Sequence, residues 1–318
     1  KNIRSNEIIF LCGSSGDGKS EVLTKYKNEY EQYVDFHLDA THSFEPDMSA
    51  VDTLDDVFSV HVDGARALVV GINAGMLGNY EREGCDSHES IKQSINAYLK
   101  SEPVDSRYTF LNFESFPKFT IKGGRVSSPF FSKLLNNVVK DDSGNKFRDY
   151  FNQAYSDRRD DILVSNYLML RDMNVQKVVV ELLLSARIRK DQFVTARMLL
   201  DFIHCILTGP NYLFDNLFDG GDNELLEVLS YFDPSVIRNH KLDLFILHRT
   251  LEIKDESYHD FLVEVGDIFG LPKNLKPQSI VRLFFLLKEL SLENNYHFDF
   301  RSTFNERAIQ KYKEVWEA

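Results

Sequence analysis

The chain has few cysteines, no long apolar run and no excess of positive charge. Each of these absences excludes some classes of protein. Its 3 cysteines among 318 residues are odd in number and far apart. That pattern argues against a disulfide framework and for a reducing, cytoplasmic compartment. No apolar run approaches the roughly 20 residues that a membrane-spanning helix needs. We therefore expect a cytoplasmic globular protein with no membrane contact.

The charge balance is acidic, with 37 Lys and Arg residues, 49 Asp and Glu residues and a formal net charge of −12. Proteins that grip duplex DNA unaided carry a basic footprint, because they must neutralise phosphates. The composition therefore disfavours a strong autonomous DNA binder and leaves open a local basic surface or a basic partner subunit. Cys85 and His88 stand close together, but without a second ligand pair they do not predict a zinc site.

The most informative stretch is IIFLCGSSGDGKSEVL, residues 8–23, in which a short apolar run leads into a glycine-rich turn. Residues 13–20, called here the 13–20 loop, have the spacing G-x-x-x-x-G-K-[ST] of a phosphate-binding P-loop. Glycines let successive backbone N–H groups point inward, and the N-terminus of the following helix adds partial positive charge. Lys19 is predicted to reach the β- and γ-phosphates of a nucleoside triphosphate, and the Ser20 hydroxyl to ligate Mg²⁺. The predicted nucleotide-binding residues are Gly13, Ser14, Ser15, Gly16, Asp17, Gly18, Lys19, Ser20 and Glu21.

The first part of the chain alternates short apolar runs with helical segments, which predicts an α/β fold. We expect a P-loop NTPase sheet of parallel strands with helices on both faces. The predicted strands cover residues 8–12, 34–38, 67–72 and 108–113.

The later part shows helical periodicity punctuated by Pro and Gly, which predicts an all-helical region. The expected domains are a nucleotide-binding α/β domain at residues 1–125 and a helical lid with a C-terminal helical region at residues 126–318. A final helix is expected at 305–316. The acidic turn at 214–223 is expected to be exposed to solvent.

Polar residues follow the predicted strands at the ends where parallel sheets bind ligands. A hydrolase needs an acidic residue for the Mg²⁺ shell and a group that orients the attacking water. Asp39 is predicted to serve the metal and Asn73 to sense the γ-phosphate, with Glu114 a weaker carboxylate candidate. Because strand 67–72 ends without a carboxylate, a second interpretation stays open, in which the site binds nucleotide but hydrolyses it poorly or needs a partner to do so. Asp39 could also simply form a strand-end turn or an N-cap.

Two arginines lie on otherwise apolar helical segments. In multidomain P-loop ATPases an arginine of the helical lid often approaches the γ-phosphate, and Arg197 is the candidate here. The alternative is an ion pair with Asp201 at position i+4. Arg282 is expected to be structural. The predicted catalytic residues are Lys19, Asp39, Asn73 and Arg197, and the predicted metal ligands are Ser20 and Asp39.

Several segments, taken in order, resemble the DptF family of DNA phosphorothioation-dependent restriction proteins. They are GSSGDGKS, HLDATHSFEPDMSAVDTL, ALVVGINAGMLGNY, YTFLNFESF, SSPFFSKLLNNVV, FVTARMLLDFI, YFDPSVIRNHKLDLFI and SIVRLFFLL, so the resemblance covers most of the chain. It implies a bacterial cytoplasmic AAA+-like ATPase that uses ATP and Mg²⁺. It also implies companion subunits of the DptG and DptH type, and restriction of DNA that lacks phosphorothioate modification.

The expected function is therefore an ATP-binding and ATP-hydrolysing subunit of a restriction complex in phage defence, which contacts DNA through the complex. The alternative is a nucleotide-gated interaction scaffold with little or no hydrolysis. A small-molecule kinase is disfavoured, because the helical region shows no motif for an acceptor pocket.

Overall fold

The computed structural model describes residues 5–43, 45, 47–64, 66–122, 125–157, 161–190 and 194–304. The chain forms two compact units. The first comprises Lys1–Pro117 together with Thr195–Arg197, and the second comprises Lys118–Val194 together with Met198–Ala318. The expected domain boundary at residue 125 lies within the second unit. Within the described ranges, no helix is both long and apolar enough to cross a bilayer.

The first unit contains a four-stranded parallel sheet, which confirms the predicted α/β class. Its strands are β1 (Ile8–Cys12), β2 (Val34–His37), β3 (Ala67–Ile72) and β4 (Tyr108–Asn112). Their order across the sheet is β2-β3-β1-β4, and every neighbouring pair is parallel. All residues of β3 are buried, as expected for an inner strand that is covered on both faces.

Helices cover both faces of this sheet because side chains alternate along each strand. The helices are α1 (Lys19–Tyr30), α2 (Ala50–Asp63), α3 (Ala74–Glu83) and α4 (Glu89–Leu99). Phe10 packs in one apolar cluster with Phe58 of α2 and Ile95 of α4. Its neighbour Leu11 packs in another cluster with Leu23 of α1.

The connections of the sheet create a switch in direction between its two inner strands. From β1 the chain passes through α1 to β2 at one edge, and from β3 it passes through α3 and α4 to β4 at the other edge. Open parallel sheets bind ligands outside the carboxyl ends of the strands at such a switch, which here lies between β1 and β3.

The second unit is mainly helical but begins with a short hairpin. Strands β5 (Thr120–Lys122) and β6 (Arg125–Ser127) pair antiparallel. The hairpin lies at the boundary expected near residue 125, and the described elements from Pro129 onward are helices, as predicted. The described helices are α5 (Pro129–Val139), α6 (Lys146–Asp157), α7 (Asp161–Arg171), α8 (Met173–Lys190), α9 (Ala196–Thr208), α10 (Leu213–Asn216), α11 (Glu224–Ser230), α12 (His240–Thr250), α13 (Glu256–Phe269), α14 (Pro277–Leu286) and α15 (Phe298–Arg301). The helix expected at 305–316 lies outside the described residues.

The acidic turn at 214–223 is tied into the second unit, so the expectation of a solvent-exposed turn is wrong for much of it. Phe214 is 0% exposed and Phe218 is 3% exposed. Arg282 explains the burial, because its guanidinium donates to Asp215 at 2.8 Å and to Asp219 at 2.7 Å. A further bond to Asp233 at 2.7 Å confirms the structural role expected for this arginine.

Candidate functional site

The 13–20 loop joins the carboxyl end of β1 to the N-terminus of α1. Gly16 and Gly18 adopt positive φ values of 82° and 91°, a conformation that favours glycine over residues with a Cβ. Gly18 is the N-cap of α1, and this helix has no side-chain hydrogen bond at its cap. The backbone N–H groups of the first helical turn can therefore serve an anion.

Lys19 closes the loop onto its own first residues. Its Nζ atom donates to the carbonyl oxygens of Gly13 and Ser14, both at 2.8 Å. An ammonium group has three N–H donors, so these two bonds orient the group and leave one donor for a ligand. The remaining predicted binding residues, Ser15, Ser20 and Glu21, are exposed.

Asp17 braces the loop from within. Its side chain is only 7% exposed, and its Oδ2 atom accepts a hydrogen bond from the Ser14 N–H at 2.9 Å. A Cβ atom placed on Gly13 would lie 3.1 Å from the same Oδ2 atom. Position 17 is variable in the P-loop motif. The motif therefore places Asp17 among the predicted binding residues but does not predict that its carboxylate bonds to the backbone of the loop.

Glu114 also reaches the loop. Its Oε1 atom accepts a hydrogen bond from the Ser14 hydroxyl at 3.0 Å, and its own N–H donates to Asn112 Oδ1 at 2.9 Å. The parallel pairing of β1 with β4 sets Cys12 opposite Asn112, so the residues that follow both strands meet. Sequence patterns identify a strand-end carboxylate but not this contact.

Asp39 forms a strand-end turn and also lies within the electrostatic reach of Lys19. Its Oδ1 atom accepts from the Thr41 N–H at 3.0 Å and from the Thr41 hydroxyl at 2.6 Å. Partial burial opposes ionisation, but these bonds and the charges of His42 and Lys19 hold the pKa of Asp39 below its usual value. The turn proposed as an alternative is thus present, and the carboxylate remains partly exposed.

Asn73 ends β3 and caps the next helix. Its Oδ1 atom accepts a hydrogen bond from the Met76 N–H at 2.7 Å, which satisfies a donor of the first turn of α3. Only the Nδ2 amide end of this side chain could then sense a phosphate group or a water molecule.

Arg197 lies next to the loop through its backbone. Its N–H donates to the Gly16 carbonyl oxygen at 3.0 Å, and Thr195–Arg197 belongs to the first unit although it is distant in sequence. The structure therefore brings this predicted residue next to the loop, with its side chain exposed to solvent.

The carboxylates around the loop do not form a ready-made metal cage. Within the described ranges, no group of three or more His, Cys, Asp or Glu side chains could hold a metal ion. Mg²⁺ rarely uses such a cage, because it is commonly bound by one or two protein oxygens together with phosphates and water. Ser20 and Asp39 match that donor chemistry.

Fold and site together define an α/β protein whose glycine-rich loop lies at the switch point of a parallel sheet. No protein-family model matches the chain, and no significant match is found among curated proteins or solved structures.

Proposed function

We propose that the chain binds ATP in the 13–20 loop, which acts as a P-loop, and hydrolyses it. The observation that carries the proposal is the pair of bonds from Lys19 Nζ to the Gly13 and Ser14 carbonyl oxygens. They hold an ammonium group at the N-terminus of α1, where the helix dipole also favours phosphate. The position at the sheet's switch point supports the same assignment.

The neighbouring side chains suit the remaining tasks of hydrolysis. Ser20 and Asp39 would hold Mg²⁺, which supplies positive charge to the phosphate oxygens when bound. The Asp39 carboxylate, whose pKa lies below its usual value, is ionised at neutral pH, as a metal ligand requires. The Asn73 amide would orient the attacking water, and Arg197 would neutralise charge on the γ-phosphate.

We further propose that the chain is an AAA+-like subunit of the DptF type in a phosphorothioation-dependent restriction complex. The support for this step is the series of segments that resemble that family. Partners of the DptG and DptH type would supply the nuclease and most of the DNA contact, which suits a chain of net charge −12.

The binding site is tested by replacing Lys19 with alanine. We expect Lys19→Ala to weaken ATP binding at least about 100-fold, since a positive charge and its hydrogen bond to phosphate are lost, while circular dichroism and the unfolding midpoint stay near wild type. Isothermal calorimetry measures the affinity. Lys25→Ala is the matched control, because Lys25 is an exposed residue of the same helix. Equal ATP affinity in wild type and Lys19→Ala would refute the site.

A second candidate function is a nucleotide-gated interaction scaffold. It is favoured by the bonds that already engage Asp39 and the Asn73 oxygen, because these groups would have to serve two roles in an ATPase. Phosphate release, measured with and without DNA and partner subunits, separates the two functions. Steady turnover that falls about 100-fold or more in Asp39→Ala indicates hydrolysis. Absence of turnover together with ATP-dependent assembly indicates the scaffold.

A further inference from the structure

Two carboxylates accept hydrogen bonds from one residue of the 13–20 loop, Ser14. Asp17 accepts from the Ser14 N–H at 2.9 Å, and Glu114 accepts from the Ser14 hydroxyl at 3.0 Å. The two side chains come from different parts of the first unit, since Asp17 belongs to the loop and Glu114 follows β4. Their charges are fixed at Ser14 by hydrogen bonds to its backbone and its side chain.

The charge around the loop is negative as a result. Lys19 and Arg197, whose backbone bonds to Gly16, contribute two positive charges, whereas Asp17, Glu114 and the Asp39 carboxylate, which the Lys19 charge also stabilises, contribute three negative charges. Asp17 is almost fully buried, so solvent screens its charge less than that of a surface carboxylate. A metal-free triphosphate, itself highly anionic, would enter a site with an excess of negative charge.

A metal-bound triphosphate meets a different balance. A divalent cation removes much of the negative charge of the phosphates, and its own charge is attracted by the carboxylates. Asp17 and Glu114 therefore repel the metal-free triphosphate and tolerate the metal-bound form. Neither carboxylate needs to ligate the metal for this difference to arise.

We propose that Asp17 and Glu114 make the 13–20 loop selective for a metal-bound nucleoside triphosphate over the metal-free anion. This inference rests on the proposed nucleotide-binding function and adds the charge state of the ligand that the site accepts. Asp17 has a second, structural role as the acceptor of the Ser14 N–H, and an asparagine at that position can keep this bond.

The selectivity is measured as the ratio of ATP affinities in Mg²⁺ and in EDTA. Asp17→Asn and Glu114→Gln each remove one charge but retain an oxygen acceptor for Ser14. We expect each variant to bind ATP in EDTA roughly tenfold more tightly than wild type, with a smaller change in Mg²⁺. The ratio should fall further in the double variant. Calorimetry in matched ionic strength provides both affinities.

Glu83→Gln is the control for the loss of one negative charge. Glu83 is exposed at the far end of α3, about 15 Å along the helix from its start, and its ratio should equal that of wild type. An unchanged ratio in Asp17→Asn and Glu114→Gln would overturn the selectivity, as would equal gains in Mg²⁺ and EDTA. Either result leaves nucleotide binding intact, whereas failure of wild type to bind ATP would refute the proposed function itself.

Discussion

Gly16 is the position in the 13–20 loop where a side chain would be hardest to accommodate. Its φ of +82° is unfavourable for other residues, and a Cβ would lie 3.0 Å from the Arg197 Cβ and 3.3 Å from the Thr195 Oγ1. Gly18 has a similar φ of +91°, but nothing lies within 4 Å of a Cβ placed there. A substitution at Gly18 therefore introduces backbone strain alone, whereas one at Gly16 introduces backbone strain and steric contact.

Gly16→Ala is expected to destabilise the first unit more than Gly18→Ala does. Each substitution should cost about 1–2 kcal/mol for the left-handed backbone, and Gly16→Ala should cost about 1 kcal/mol or more in addition, because Arg197 must move. Urea unfolding measures the loss. Hydrogen exchange at the Arg197 amide should quicken only in Gly16→Ala, since that amide bonds to the Gly16 carbonyl. Equal losses of unfolding free energy in both variants would show that close packing of Thr195 and Arg197 against Gly16 adds nothing to the cost of a Cβ there.

At the scale of elements, α3 depends on the same residue that is proposed to sense phosphate. Asn73 Oδ1 caps the helix, while its Nδ2 amide is the group suited to a water or phosphate oxygen. The capping and sensing roles use different ends of one side chain, so two substitutions can distinguish them.

Asn73→Ala removes both ends of the side chain, whereas Asn73→Asp keeps an acceptor for the Met76 N–H. We expect the alanine variant to lose about 1 kcal/mol of unfolding free energy and the aspartate variant to lose little. ATP turnover should fall in both, because neither retains the amide donors. Unfolding curves and phosphate release are measured on the same preparations. Full turnover in Asn73→Asp would mean that Asn73 serves only as a cap.

The sequence was informative where local chemistry dictates local structure. The apolar runs of β1 and β3 and the glycine spacing of the 13–20 loop predict strands and a turn without knowledge of the rest of the chain. Helix α3 was not predicted, because Gly75 and Gly78 weaken its pattern and its stability depends on the Asn73 cap and on packing of Met76 and Leu77.

Contacts that depend on register or on long-range packing could not be predicted. The bond between Ser14 and Glu114 follows from the pairing of β1 with β4, and residues 100 positions apart in the chain have no local signal that joins them. The burial of the 214–223 turn likewise follows from Arg282, whose three carboxylate partners are known only once α14 is placed.

At the scale of the whole molecule, buried histidines make stability depend on pH in both units. His37 and His61 of the first unit and His297 of the second have pKa values lowered chiefly by burial. Several carboxylates, such as Asp39 and Asp255, have pKa values below their usual range, so their stabilising contribution is lost only in stronger acid. Acid destabilisation should therefore begin with the histidines.

His297 shows the cause most clearly. Its ring is 0% exposed, lies 5.5 Å from the Phe261 ring centroid, and bonds to the Leu290 carbonyl through Nε2 at 2.9 Å. A second proton must be placed on Nδ1 within this aromatic surrounding. Burial and the charge of Arg301 lower the pKa of His297, while the backbone carbonyls of Leu290 and Leu287 and the charge of Glu264 act in the opposite direction without outweighing burial.

Because the folded pKa of His297 lies below the unfolded value of about 6.5, the unfolded chain binds more protons as the pH falls through that range. Stability of the second unit should then be constant above about pH 7 and decrease from about pH 6.5 towards the lower folded pKa.

His297→Gln, which stays neutral and can still donate to Leu290, should reduce this slope even if it lowers stability at pH 8. His259→Gln, an exposed histidine on α13, should leave the slope unchanged. Hydrogen exchange of α13 and α14 amides between pH 8 and pH 5, corrected for intrinsic rates, provides the measurement. The same slope in wild type and His297→Gln would assign the acid sensitivity of this unit to groups other than its buried histidine.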